Sequence, residues 1–491
     1  ASRSLWLYDR TAKTFECLVD ARHGLTEDHV PGYEETMARE IARDRWLGIS
    51  RFMWTPDGKA ILMLCSNRLL RYELEAKKLA TYTHGDYIAF AAHSPDGSLI
   101  AFHADSDLWI VPASLTAPAR RLTAFAGNSV ISGMADKVTR EEMGNQRAFW
   151  WSKDGKFLFY ANYHMQNVPV VQVGSGLQDD AETIAYARPG EAVSVFSFCK
   201  IEHETGVNTT LREADEKWPY LVGCDFDDEG NPILHRVNRE QTLIQYLKLT
   251  PISEQLMHVE HGTPWLNVLG GPLMLPDKTS YLFLHERNGV GAIARHTDGE
   301  TSSDITSGCG HVERVLGLSK DKTALYFIAT GNDPRARHVF KVNLDGSGLQ
   351  QLTQGNAVHS AAFAPDQKSW LHTTDQLGKP PQTVLEALDG TLEFAFPMFE
   401  HRLLKDIARR GPELFTVTAG DGKTELHAAL YKPAHKGKAP LVVAVYGGPH
   451  VQVVRHSWAL NADLRTQRLL DAGFYVLKVD NRGSSGRGIA F

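Results

Sequence analysis

The chain is poor in cysteine. Its five, Cys17, Cys65, Cys199, Cys224 and Cys309, are odd in number, far apart and free of any Cys-x-x-Cys or Cys/His ligand spacing, which argues against a disulfide frame or a zinc site. They read as buried thiols kept reduced, and so point to the cytoplasm. The sequence opens on Ala1 rather than Met, and a signal removed ahead of it would make the protein periplasmic or secreted instead. No run of about 18 apolar residues occurs, so no helix is expected to cross a membrane. Blocks rich in Lys and Arg are missing too, and a net charge of −6 over 491 residues is small, which leaves nucleic acid without its electrostatic footprint. At this length a single hydrophobic core is excluded, yet no Pro/Gly/Ser-rich linker separates one part of the chain from the next.

What the chain does have is a repeat. Thr55-Pro56-Asp57-Gly58, Ser94-Pro95-Asp96-Gly97 and Ser152-Lys153-Asp154-Gly155 each precede a short apolar run, and weaker copies stand at Asp228-Glu229-Gly230, Pro276-Asp277-Lys278, Lys320-Asp321-Lys322 and Pro365-Asp366-Gln367. Pro presets one turn position, and Asp with Gly tolerates a left-handed one, so each copy predicts a tight hairpin turn. A four-stranded propeller blade needs roughly 40–50 residues, which fits the spacing of the copies with a few insertions. The expected fold is mainly β: a seven- or eight-bladed β-propeller over residues 1–405. An array of separate β-sandwiches is the alternative.

Near residue 405 the pattern changes. Glu413 to Thr418 and Glu425 to Lys432 read as a hairpin closed by Gly420-Asp421-Gly422, and Leu441 to Tyr446 is an unbroken apolar run that ends on Gly447-Gly448-Pro449. Leu460, Leu464, Leu469 and Leu470 then recur at helical spacing before a second apolar run from Gly473 to Asp480. Strand, helix and strand in that order predict a βαβ unit whose parallel strands are covered on both faces. Residues 406–491 thus read as the first, incomplete part of an α/β-hydrolase domain.

Four segments, in this order, resemble the dipeptidyl peptidase IV family of the prolyl oligopeptidase clan, in its bacterial and cytosolic forms. Gly133 to Met143 is similar to the family's double-Glu motif, and Phe149-Trp150-Trp151-Ser152 to the blade start that follows it. Ala444 to Gln452 resembles its Tyr-Gly-Gly-Pro segment, and Val479-Asp480-Asn481-Arg482-Gly483-Ser484 its Asp-Asn-Arg-Gly-Ser turn. Two departures stand out. Lys137 occupies a position where the family often has an aromatic residue, and no Gly-x-Ser-x-Gly occurs anywhere, so the catalytic Ser, Asp and His of the clan are absent from this chain and expected beyond Phe491.

The resemblance implies a serine exopeptidase that releases Xaa-Pro, and less readily Xaa-Ala, dipeptides from peptides with a free N-terminus. Adjacent carboxylates suit a desolvated ammonium, since they give it two charge-assisted acceptors, and the resemblance assigns that role to Glu141 and Glu142. Glu34-Glu35 and Asp227-Asp228-Glu229 read as ordinary solvated acids. A helical stretch from Glu34 to Trp46 resembles the family's Arg-bearing segment, in which counting favours Arg43, with Arg45 as the alternative, to hold a substrate carbonyl. Tyr446 is implied as the oxyanion donor. His450 lacks a nucleophile to serve, Asp480 reads as turn chemistry, and Arg335-Ala336-Arg337-His338 as an exposed hairpin. No metal or organic cofactor is implied; the remaining catalytic polypeptide and a homodimer are the protein partners the resemblance allows. A non-catalytic, peptide-binding propeller and an acylaminoacyl or oligopeptidase activity are the rival readings, and the Glu pair speaks against the last, because blocked or internal substrates offer no ammonium.

Overall fold

A computed structural model describes residues 2–20, 31–41, 43, 47–124, 129–173, 182–297, 302–398, 409–435 and 437–491. The chain forms two compact units, residues 1–261 and 262–491.

The repeat turns out to be the hairpin that joins the first two strands of each successive sheet. In all seven copies the fourth turn residue donates its backbone N–H to the carbonyl of the first, at 2.7–3.0 Å: Gly58 to Thr55, Gly97 to Ser94, Gly155 to Ser152, Gly230 to Asp227, Lys278 to Leu275, Lys322 to Ser319 and Gln367 to Ala364. That fourth residue has a positive φ every time, which is why Gly is written there in four of the seven turns. The hydroxyl of the first residue donates to the Asp carboxylate at 2.5–2.6 Å from Thr55, Ser94, Ser152 and Ser319, so the Ser/Thr-x-Asp-Gly pattern closes on itself.

Behind these turns run antiparallel sheets of four strands, the third of which has its first strand in two pieces. In the first unit they span Arg51–Thr83, Phe90–Arg121, Val130–Arg212 and Tyr220–His261, preceded by the hairpin of Leu5–Asp9 with Thr14–Val19. The second unit holds Leu273–Asp304, Val312–Gln351 and Val358–Ala395. Each is the meander of a propeller blade. Consecutive sheets inside a unit share cores: Leu62, Leu64 and Leu69 pack with Ile100, Phe102 and Val111, and Leu282 and Ile293 with Phe327 and Phe340. The inner strands Ala60–Cys65, Pro232–Val237, Ser280–His285 and Ala324–Ala329 are buried along their whole length, as strands with neighbours on both sides and sheets on both faces must be.

After the last meander comes a mixed sheet in the order Glu413–Thr418, Glu425–Tyr431, Tyr475–Val479, Leu441–Ala444. The expected hairpin is antiparallel, and Leu441 to Ala444 pairs in parallel with Tyr475 to Lys478. Two helices connect those parallel strands, Ala459–Ala462 and Leu464–Asp471. Asp463 separates them and caps the second, accepting from the Arg465 and Thr466 N–H groups while Lys478 Nζ donates to its other oxygen at 2.7 Å.

Several expectations need correcting. The strand at Leu441 is covered on one face only among the described residues: Leu441, Val443 and Val445 are more than half exposed, while Val442 and Ala444 pack into the core of this sheet. Cys17 is exposed, on the second strand of the first hairpin, while the other four thiols are buried and all five are free. Arg337 and His338 are buried rather than in an exposed hairpin, since that segment begins an inner strand, His338–Asn343. Residues 399–408, around the expected boundary at 405, lie outside the described residues.

Candidate active site

The double-Glu segment is an insertion in a strand. Val130–Ser132 and Phe149–Trp151 both pair with the long strand Phe157–His164, Ser132 opposite Asn162 and Phe149 opposite Tyr160. Residues 133–148 leave the sheet between them, closed at the base by a Met134–Arg147 bridge and by the Ala148 N–H on the Gly133 carbonyl at 3.0 Å. Gly133 is required there: its φ is +80°, and a Cβ would lie 2.4 Å from Leu108 Cδ2. The helix Lys137–Glu142 rises from this base. Asp136, buried, caps it by accepting the Thr139 N–H at 3.2 Å, and Lys137 Nζ lies 5.6 Å above the Tyr186 ring.

Glu141 and Glu142 finish that helix. Both are exposed, and neither carboxylate meets a cation or a hydrogen-bond donor among the described residues. Arg140 and Gln146, on either side of them in sequence, line a cavity of about 860 Å³. Arg43 lines the same cavity, beside Glu34, Glu35 and Arg39 of the helix Tyr33–Ile41. That helix is shorter than expected: Arg43 lies past its end with φ +52°, its N–H bonded to the Glu40 carbonyl at 3.1 Å, the left-handed geometry that terminates helices. Arg45 lies outside the described residues.

The bland reading of the neighbouring acids fails in part. Glu35 is buried, gripped by Arg39 Nε at 2.9 Å and by the Ser66 hydroxyl at 2.6 Å, since a buried carboxylate is costly unless it is paired and hydrogen-bonded. Asp227 is also buried and accepts the Glu229 and Asn231 N–H groups as the first residue of its turn.

Other cavity residues gave no sign of themselves in sequence. His103 is buried, bonded through Nδ1 to the Ser132 carbonyl at 2.9 Å, and burial pushes its imidazole down to about 4. Asp105 and Ser106 form a turn with two successive left-handed residues, and Asp105 holds His84 Nε2 at 2.8 Å. A hydrogen bond shared with Asp105 raises the Asp86 carboxyl. These groups come from different strands and hairpins, and only the folded sheet ends bring them together.

Tyr446 belongs to the second unit. It follows the edge strand Leu441–Ala444, is 57% exposed, and packs its ring on the Gly448 backbone. His450 has φ +69°. Asp480 is not turn chemistry: it is buried, and its two oxygens accept the N–H groups of Val453 and Val454 at 2.7 and 2.9 Å. Burial raises its carboxyl against those two donors. Among the described residues no group of three or more His, Cys, Asp and Glu could hold a metal ion, and no helix is long and apolar enough to cross a membrane.

Successive four-stranded blades followed by a mixed α/β sheet, with an acid pair on a strand insertion, define a propeller protein that opens an α/β layer. The model of the dipeptidyl peptidase IV N-terminal region matches residues 49–381. The chain belongs to the dipeptidyl peptidase IV family. A probable dipeptidyl-aminopeptidase B from Tuber melanosporum is 24% identical over 451 residues, covering 81% of this chain and 49% of its own length; one from Talaromyces marneffei is 25% identical over 448 residues, covering 82% and 49%. The chain therefore spans about half the length of the curated relatives it matches. Among solved structures, dipeptidyl peptidase 4 of Porphyromonas gingivalis superposes with a TM-score of 0.79 at 19% identity, over 99% of this chain and 73% of that one, a likeness of fold.

Proposed function

We propose that this chain is the substrate-reading part of a dipeptidyl aminopeptidase that removes Xaa-Pro, and less readily Xaa-Ala, from free peptide N-termini. The observation that carries the reading is the state of Glu141 and Glu142: two adjacent exposed carboxylates ending a capped helix, without a cation among the described residues, in sequence between Arg140 and Gln146, which line a cavity. An exposed acid pair is solvated in the free protein and open to an incoming cation, and an ammonium gives it two charge-assisted hydrogen bonds. Family membership and relatives that carry the name dipeptidyl-aminopeptidase support the same reading.

In this scheme the Glu pair fixes the ammonium and Arg43 the carbonyl after the first residue, so that two residues are measured off from the free end. Tyr446 donates to the oxyanion as the tetrahedral centre forms, a contribution typically worth about 3 kcal/mol for one donor. The 491 residues contain no Gly-x-Ser-x-Gly; the scheme further calls for a Ser to attack, a His to take and return its proton, and an Asp to orient that His. Turnover of a Gly-Pro chromogenic amide beside its N-acetylated analogue tests the scheme, with the intact mass of the native protein measured alongside. Cleavage of the free amide only is expected. Equal rates on both would refute the ammonium ruler, and a native mass near 54.6 kDa with no companion polypeptide would refute an active enzyme.

A further inference from the structure

Arg337 uses all three nitrogens of its guanidinium. It is 4% exposed, at the start of an inner strand of the sheet Val312–Gln351. Nε donates to the Glu313 carboxylate, Nη1 to the carbonyls of Pro334 and Ala336 at 2.9 and 2.8 Å, and Nη2 to Gln452 Oε1 at 2.9 Å. Gln452 is buried and equally committed: its amide donates to the Pro334 carbonyl at 2.9 Å and to the Val454 carbonyl at 3.4 Å. The turn around Gly486 closes over the pair, since a Cβ there would sit 2.5 Å from Arg337 Nη2 and 2.7 Å from Gln452 Oε1.

Gln452 lies six positions beyond Tyr446, on a segment with no helix or strand from residue 445 to 458. What holds this segment comes largely from the blades. Asp333 takes His456 Nε2 at 2.8 Å, the Arg335 carbonyl takes the His456 N–H at 3.0 Å, and Asp375 takes the Ser457 hydroxyl and the Trp458 N–H at 2.6 and 2.7 Å. Asp480 pins Val453 and Val454 from the other side. A loop without secondary structure keeps a geometry only where such contacts fix it.

We propose that Arg337 is a positioning residue: through Gln452 it sets the loop that carries Tyr446, so that the placement of that hydroxyl depends on a propeller blade. The inference rests on the oxyanion role proposed for Tyr446 only for its catalytic consequence; the mechanical claim stands by itself. A guanidinium fork is needed, because a lysine ammonium at the same place cannot hold Glu313, two carbonyls and Gln452 together.

The test uses the whole chain with 3-fluorotyrosine at position 446, read by fluorine resonance, together with hydrogen exchange at Val453 and Val454. In Arg337→Met the resonance shifts or splits and exchange of both amides rises about tenfold or more, the scale of one lost anchoring interaction; Arg337→Lys does not rescue either. Gln452→Ala, which keeps Arg337 and its bonds to Glu313, Pro334 and Ala336 in place, reproduces both changes, so a folding defect in the first variant does not decide the matter. An unmoved resonance with unchanged exchange in Gln452→Ala overturns the proposal, as does full rescue by lysine. Failure of the oxyanion reading looks different: in protein that turns over a Gly-Pro amide, Tyr446→Phe then leaves kcat unchanged while the fluorine and exchange results stand.

Discussion

At the scale of single residues, Glu141 and Glu142 differ from Glu35 and Asp480 in that no cation or hydrogen-bond donor meets their exposed carboxylates among the described residues. Glu35 sits in an ion pair with Arg39 and Asp480 holds two backbone amides, so each acts on this protein. Removing one of those charges should destabilise the fold, whereas Glu141→Gln and Glu142→Gln should leave the melting temperature unchanged and weaken binding of a free-amino peptide by roughly 10- to 100-fold, the worth of one or two charge-assisted hydrogen bonds. Thermal melts and calorimetry on the same samples check both halves. Histidines give a second prediction. Burial pushes His103, His311 and His359 down to about 4, the last two helped by neighbouring Arg337 and by His372 and His338 respectively. Each is depressed below the usual 6.5, so the unfolded chain takes up the proton first; their stabilisation is complete above pH 6.5 and lost as pH falls toward 4. One unit of depression is worth about 1.4 kcal/mol. Denaturant melts between pH 7 and 4.5 should show that loss, with a shallower slope in His359→Gln.

At the scale of elements, the hairpin repeat was readable because one turn must solve one problem seven times. A left-handed fourth residue makes Gly the natural choice, and its hydrogen-bonding partner three residues earlier makes Ser or Thr natural where the Asp follows. The fourth copy shows the limit of reading by pattern: Asp227, not Asp228, opens the turn, because a carboxylate at that place substitutes for the hydroxyl. Gly58→Ala should cost about 1 kcal/mol, the penalty of a Cβ in left-handed backbone, even though space for the Cβ is open. Lys322→Gly, at φ +58°, should do no harm and gain up to about 1 kcal/mol by the same argument. Equilibrium unfolding of the two variants compares them directly. The βαβ segment was legible from its apolar runs, but its exposed face was not: period-two exposure along Leu441, Val443 and Val445 cannot be told from full burial when every residue is apolar.

At the scale of the whole molecule, the acid pair was legible only through the family resemblance, and the cavity beside it was not legible at all. Nothing in the sequence says that Arg43, Asp86, His103 and Gln146 line one space, since they come from a helix end, a loop between sheets, a strand and a strand insertion. Arg337 was misread for a related reason: a cation-rich stretch looks like surface until the carbonyls and carboxylates that surround it are known. Thiol chemistry offers a check on the fold as a whole. With four cysteines buried and one exposed, an aromatic disulfide reagent should modify one thiol in the native chain, slowly because burial and Asp20 raise Cys17, and all five after denaturation.

The claim on which the rest depends is that this chain reads a free ammonium with Glu141 and Glu142. Calorimetric titration of the chain with the tripeptide Gly-Pro-Gly and with its N-acetylated form tests it most directly, since it needs no turnover. The account predicts binding of the free peptide, loss of about tenfold or more in affinity on acetylation, and no further effect of acetylation in the Glu141→Gln, Glu142→Gln double variant. Equal affinity for the two peptides, or an undiminished preference for the free one in the double variant, would contradict it.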